Sequence, residues 1–285
     1  MTGHDTTATP VRPRITRRAF VTLVGGGAAL LATSCSGATG SGQDAQEVQP
    51  ATLASSGWFV EPDQRYFDST GVVHYALALT NPNAHVELSY PSVHIRGLAE
   101  DGSELFSQQD HIAFLRPNET GYISGSAGRG ITQQPADVEI TVDSDGYGYI
   151  TAATDEGQDR GIASLFGGTA EEPSVTPTEN IYQFGEIEHT VSDDYGERHF
   201  LDTTITANET WDDMPYTRVC LVLRDGEGTL LGGYEGPVAS LQKGQETAYQ
   251  LIIETTMPEY GSWEFHAVPT TDANNTINAS QLVAH

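Results

Sequence analysis

The stretch that decides the fold is LSYPSVHIRGLAEDGSELF, Leu88 to Phe106, because the chain repeats its pattern 126 positions later. The second copy is MPYTRVCLVLRDGEGTLLG, Met214 to Gly232. The coinciding apolar and aromatic positions are Tyr90 with Tyr216, Val93 with Val219, and Ile95 with Leu221. Agreement of apolar spacing and turns at a fixed offset is the sequence signature of a duplicated unit. We therefore predict two copies of one domain.

Each copy alternates with the period of a β-strand. In the first copy Val73, Tyr75, Leu77 and Leu79 occupy one face, and His74, Ala76, Ala78 and Thr80 occupy the other. Turn signals separate such runs, among them Asn81-Pro82-Asn83, Asp101-Gly102, Asp225-Gly226 and Lys243-Gly244. Upstream, Trp58 aligns with Phe184. A sheet with one apolar face buries that face against a second sheet, so the fold class is all-β, with two tandem immunoglobulin-like β-sandwich domains at 57–150 and 180–285.

The remaining segments lack this alternation. Residues 35–56 are rich in Gly, Ser, Ala, Gln and Thr, a composition typical of a flexible tether. Residues 151–179 contain acidic residues and prolines and are predicted to be a linker between the two sandwiches.

The same strands resemble the immunoglobulin-like domains called FxLYD, which are common in bacterial and archaeal surface lipoproteins. The resemblance rests on Val93, Ile95, Asp101-Gly102, Leu105, Leu115, Glu119 and Thr120, and again on Val219, Leu221, Asp225-Gly226, Leu230, Leu241, Glu246 and Thr247. Neither copy has the Tyr-Asp of the naming motif, since Gly97-Leu98-Ala99 and Leu223-Arg224-Asp225 stand there. The resemblance implies a sandwich fold and a surface location, and it brings no catalytic residues.

The beginning of the chain is an export signal. Four arginines precede Phe20, and a glycine-interrupted apolar run follows it. That run, about 14 residues, is shorter than the roughly 20 that a membrane-spanning helix needs, and it lacks the polar face of a core helix. Residues 1–34 are therefore predicted to be a cleaved signal peptide.

Two motifs refine this prediction. Arg17, Arg18 and Phe20 resemble the twin-arginine export motif, although paired arginines also occur in ordinary signals. Leu31-Ala32-Thr33-Ser34-Cys35 resembles a lipobox, in which Cys35 receives the lipid; Ala32 stands where leucine is usual. Two acyl chains on Cys35 are sufficient for stable anchoring. The alternative is an ordinary cleavage site with an incidental cysteine.

The charge excludes one class of partner. The chain has 39 acidic and 13 basic residues; removal of 1–34 takes away one acid and four bases, leaving 38 and nine. Such a surface repels nucleic acid, so no nucleic-acid partner is expected. The predicted location is the extracytoplasmic face of the cell membrane, reached through lipid on Cys35.

No catalytic constellation is apparent, and no cofactor is expected. A G-x-S-x-G motif is absent; the nearest stretch, SGSAGRG at Ser124 to Gly130, is predicted to be a loop. The eight histidines after Cys35 show no H-x-x-x-H spacing. Asp143 and Asp145 are weak calcium candidates, because Tyr147 and Thr154 occupy positions where a calcium loop needs oxygen ligands. Tyr147-Gly148-Tyr149 is either a contact patch for sugar or peptide or ordinary sheet packing.

Taken together, these features predict a non-catalytic, membrane-anchored surface lipoprotein that acts in binding or scaffolding, with an unknown protein or glycan partner. The alternatives are a calcium- or carbohydrate-binding surface module and, further off, a hydrolase. Cys220, the remaining cysteine, lies in an apolar strand and is predicted to be a core residue.

Overall fold

The computed structural model describes residues 48–61, 71–144, 148–151, 181–193, 196–210, 214–255 and 257–271, with only the backbone at 148–151. Within these ranges there is no helix, and every element is a β-strand. The first half contains β1 (Thr52–Glu61), β2 (Gly71–Thr80), β3 (Val86–Ser89), β4 (Ser92–Leu98), β5 (Glu104–His111), β6 (Phe114–Leu115), β7 (Thr120–Ile131), β8 (Asp137–Val142) and β9 (Gly148–Thr151). The second half contains β10 (Tyr182–Phe184), β11 (Glu188–Ser192), β12 (Arg198–Ala207), β13 (Tyr216–Arg224), β14 (Leu230–Glu235), β15 (Glu246–Ile253) and β16 (Ser262–Thr270).

Each half is an antiparallel sandwich, which confirms the all-β prediction. In sandwich 1, the sheet β1-β2-β7 packs on the sheet β5-β4-β8, with a small sheet β6-β3-β9 beside them. In sandwich 2, the sheet β14-β13-β16 packs on a sheet centred on β12, which pairs with β15 along one edge and with β10 and β11 along the other. The predicted inward face of β2 is buried, since Val73, Tyr75, Leu77 and Leu79 are at most 1% exposed.

The strand register repeats the offset of 126. In sandwich 1 the β4–β5 ladder shifts between Gly97 and Leu98, and in sandwich 2 the β13–β14 ladder shifts between Leu223 and Arg224. Leu98 then pairs with Glu104, and Arg224 pairs with Leu230, so both partners move by the same 126 positions. Retention of a bulge at the same place supports duplication more strongly than apolar spacing does.

Two predicted details are wrong. Trp58 pairs with Tyr75 whereas Phe184 pairs with Ile205, so they are not register equivalents. The partners Glu61 and Val72 are 11 positions apart, whereas the corresponding partners Ser192 and Arg198 are six apart, so a shorter connection shifts the first strands of sandwich 2 by five positions. The segment Ser124 to Gly130 is not a loop, because it lies within β7.

The start of sandwich 1 also needs correction. β1 begins at Thr52, inside the segment 35–56 that was expected to be a tether, because Thr52–Ser56 pairs with the end of β2. Of the predicted linker at 151–179, Thr151 is the last residue of β9, and 152–179 lie outside the described residues, as do residues 1–47.

The two sandwiches pack face to face in four layers. The sheet β1-β2-β7 of sandwich 1 lies against the sheet β14-β13-β16 of sandwich 2, and we call this contact the seam. Both faces of β2 and β13 are therefore buried, including Ala76 and Ala78, which lie on the face of β2 opposite its core side. The described residues of the two sandwiches accordingly belong to one compact unit.

Small residues allow the two sheets of the seam to approach closely. A Cβ atom added to Gly57 of β1 would collide with the carbonyl of Leu230 in β14. Gly232 has φ +142°, and a Cβ there would come within 2.7 Å of the Phe59 ring. Ser124 of β7 donates a hydrogen bond to the carbonyl of Tyr234, at 2.7 Å. The seam thus depends on backbone contact that larger side chains would prevent.

Candidate functional site

The residues predicted to direct export and lipidation, Arg17, Arg18, Phe20 and Cys35, lie outside the described residues. In the part of the chain that the structure describes, no helix has the length and apolar character needed to span a bilayer. The anchoring prediction therefore rests on the sequence.

Asp143 is placed at the end of β8, and its carboxylate is held by neighbours. Ser92 Oγ donates to Asp143 Oδ2 at 3.4 Å, and Nε2 of His94 lies 3.6 Å from the same oxygen. Asp145, its proposed partner, lies outside the described residues. Among the described residues no group of three or more His, Cys, Asp or Glu side chains is arranged to hold a metal ion. The calcium site stays a prediction.

Tyr90 is an exposed aromatic residue two positions before Ser92, the residue that donates to Asp143. Tyr90 joins β3 to β4, is 42% exposed, and has a left-handed φ of +54°. Its backbone N–H donates to the carbonyl of Ala113, and its ring centroid is 5.7 Å from that of His111. A bulky residue with positive φ is uncommon and is often associated with a functional constraint. Of the predicted aromatic patch, Tyr147 lies outside the described residues. The backbone of Tyr149, in β9, pairs with Leu88 of β3.

A cluster of charged side chains is buried at the seam. Arg218 of β13 reaches into sandwich 1 and binds both carboxylate oxygens of Asp110, at 2.7 and 2.9 Å. Tyr75 donates to Asp110 at 2.6 Å, and Arg218 also donates to the carbonyl of Ser124. Nε of Arg218 lies 3.1 Å from a Glu235 oxygen.

The directions of the pKa shifts favour the charged form of this network. Burial by itself would raise the pKa of Asp110, but Arg218 and the Tyr75 hydroxyl lower it below its usual value. Burial opposes the charge of Arg218, yet Asp110 and Glu235 raise its pKa above the ordinary value. Shifted pKa values also occur in active sites. Here, however, the bidentate pair is buried between two sheets, so we assign it a structural role that joins the two sandwiches.

Cys220 is adjacent to this network and is confirmed as a core residue. It is fully buried, and burial raises the pKa of its thiol. The backbone N–H of Ser124 donates to its sulfur at 3.3 Å. A protonated thiol without access to solvent is not a nucleophile.

The structure brings together two histidines that sequence spacing does not pair. His189 Nε2 is 3.0 Å from His199 Nδ1, and His199 Nε2 is 2.9 Å from Glu197 Oε1. Because an ionised carboxylate only accepts, neutral His199 donates to Glu197 and accepts from His189. The contact is diagonal across β11 and β12, where His189 pairs with Leu201, so only the register reveals it.

An open groove of about 310 Å³ lies at the side of sandwich 1, and we call it the β7 groove. Leu105, Phe106 and Ile131 supply its apolar wall, and Arg129, Thr132 and Gln133 supply polar groups. The ladder between β2 and β7 passes from Val73–Ala127 to Gly71–Ile131, so residues 128–130 form a bulge opposite a single residue of β2. The glycines of SGSAGRG are the sequence signal for this bulge, although the sequence alone predicts a loop there.

Comparisons with known proteins do not place the chain in a family. No family model matches it, and no curated protein matches it. Among solved structures, it matches the N-terminal CBM22-1-CBM22-2 tandem domain of Xyn10C from Paenibacillus barcinonensis with 9% identity and a TM-score of 0.18. That match covers 82% of this chain and 88% of the other. At this TM-score the two backbones do not share a superposition, so the match supports no functional argument.

Proposed function

We propose that the protein is a non-catalytic lipoprotein, anchored through Cys35 at the extracytoplasmic face of the cell membrane, that binds its partner at the β7 groove. The leader, with Arg17, Arg18 and Phe20, supports export, and the lipobox-like stretch ending at Cys35 supports anchoring. The resemblance to FxLYD domains agrees with this location.

The observation that carries the binding role is the bulge at 128–130. It presents Arg129 beside an apolar wall. In the described residues of sandwich 2, the ladder between β12 and β15 ends at His199–Ile253, which is the equivalent of Val73–Ala127, the last pair before the bulge. A sandwich therefore forms without a strand that is paired beyond this point.

The anchor is tested by metabolic labelling with a palmitate analogue. We expect Cys35→Ala to abolish labelling and release the protein from membranes, because diacylglycerol supplies the membrane affinity. Cys220→Ala is the matched control, since its sulfur is buried and its label should be retained. Label persisting in Cys35→Ala would contradict the proposal.

The groove is tested with a photoreactive amino acid introduced at Gln133 or, as a control, at Thr204 on the outer sheet of sandwich 2. We expect a cross-link from intact cells at Gln133 that Arg129→Gln removes, and no such cross-link at Thr204. Equal cross-linking at both positions would contradict a binding role for the β7 groove.

A second candidate is carbohydrate binding at Tyr90. Its exposure, its left-handed backbone and its contact with His111 favour it. Aromatic rings present an apolar surface with a polar edge, which suits such contacts. Loss of oligosaccharide binding in Tyr90→Ala, with binding retained in Tyr216→Ala, would support this candidate; equal retention in both would exclude it.

A further inference from the structure

Arg129 differs from the other arginines of the described residues. Arg96, Arg116, Arg198, Arg218 and Arg224 each approach a carboxylate, whereas no carboxylate of the described residues approaches Arg129. Its described hydrogen bond is to Ser126 Oγ, at 3.2 Å. In a chain with three times as many acids as bases, an arginine without an acidic partner is unexpected. Its guanidinium is available to an external anion.

The backbone around Arg129 suits the same anion. Gly128 has φ +65° and Gly130 has φ +80°, and Arg129 between them has a negative φ. Alternation of positive and negative φ is a feature of backbone nests, whose successive N–H groups bind anions. Residues 128–130 have no Cα partners in the ladder with β2, so they lie outside its regular register.

The apolar wall beside Arg129 determines which chemical group next to the anion fits the groove. The Phe106 ring packs against both Gly97 and Gly128, since a Cβ added at either glycine would collide with it, so part of the ring surface is already covered. Together with Leu105 and Ile131, the rest of the ring forms an apolar wall that suits an aliphatic side chain. The net charge of −26 repels polyanions, which favours a ligand with a single carboxylate.

We propose that the β7 groove binds the free C-terminal carboxylate of a peptide that ends in an aliphatic residue, with Arg129 and the bulge N–H groups on the carboxylate. The groove would hold the last side chain against Leu105, Phe106 and Ile131. This inference rests on the proposed function of the groove. Capture of a terminal carboxylate by a backbone nest is a known mode of peptide recognition.

The test uses a fluorescent tetrapeptide ending in leucine, as the free acid and as the carboxamide, with the lipid-free protein lacking 1–35. We expect the acid to bind about tenfold or more tightly than the amide, since charge-assisted bonds to the carboxylate are lost. Arg129→Gln should remove this preference, and Arg96→Gln, which alters an exposed paired arginine, should retain it. Unchanged melting of Arg129→Gln would show that the fold is intact.

Other outcomes separate this inference from the proposed function. Equal affinity for acid and amide, or no binding of either, would overturn the ligand class, while a cross-link at Gln133 would leave the groove's role standing. Competition by galacturonate in place of the peptide would equally overturn the peptide assignment. If no cross-link forms at Gln133 and the peptide does not bind either, both the peptide assignment and the proposed function of the β7 groove are overturned.

Discussion

The two sandwiches share one strand register but differ in what they place at the ends of their strands. Sandwich 1 has the bulge at 128–130 and the strained Tyr90, and sandwich 2 has a divided first strand and the His189–His199 pair. Tyr216, the equivalent of Tyr90, does not have a positive φ. The strand pairing that the two sandwiches share is what a buried core requires. The differences lie at the ends of strands, where burial constrains the sequence less and function can diverge.

The same comparison explains the seam. Arg218 and Asp110 do not occupy equivalent positions, so each sandwich contributes one member of a bidentate pair that forms only between them. A single buried charge without its partner is strongly unfavourable. The two copies are therefore no longer independent domains in energetic terms.

The largest expected effect is at this pair. Arg218→Met should lower the free energy of unfolding by about 3–5 kcal/mol, because it leaves the buried Asp110 carboxylate unpaired. Arg96→Met, which removes a half-exposed ion pair, should cost about 1 kcal/mol or less. Urea unfolding measures both. Similar losses in the two variants would show that the seam pair does not join the sandwiches.

An intermediate effect is expected from the glycines of the seam. Gly57→Ala should destabilise by about 1–3 kcal/mol, because its Cβ meets the Leu230 carbonyl across the seam. Gly226→Ala is the control, since its Cβ has no atom within 4 Å, and it should change stability by about 0.5 kcal/mol or less. Thermal or urea unfolding distinguishes them. A silent Gly57→Ala would argue against close sheet contact.

The smallest effect concerns pH. Burial lowers the pKa of His266, although Glu264 opposes it, and burial followed by the charge of His199 lowers the pKa of His189. A histidine with a lowered folded pKa binds fewer protons than the unfolded chain does, so its contribution to stability is complete above about pH 6.5 and is lost as the pH falls below that value.

Unfolding by urea between pH 8 and pH 5 should therefore show declining stability. His266→Gln should reduce the slope, because it removes the imidazole whose pKa burial lowers. His266 stacks on Tyr122 across the seam, with centroids 4.0 Å apart, whereas His189 lies within sandwich 2. A slope unaffected by His266→Gln would place the pH dependence outside the seam.

Strand alternation and the 126-residue offset were sufficient to predict the sandwiches, because core positions must alternate in a half-buried strand. The candidate site was predicted less well. The glycines of SGSAGRG indicate an irregular backbone. Whether they form a loop or a bulge depends on the register of β7 against Gly71 and Val73. The His189–His199 contact depends likewise on which residues of β11 and β12 face each other.

By itself, the sequence determined the duplication and the inward faces of the strands, because these follow from periodicity and a fixed offset. The leader and the lipobox-like cysteine are also read from local composition, and they stay predictions. Only the tertiary structure decided that the outward faces of β2 and β13 are also buried. Whether a second face meets solvent or another sheet depends on residues over a hundred positions away, such as Arg218 reaching Asp110. No local pattern encodes that contact.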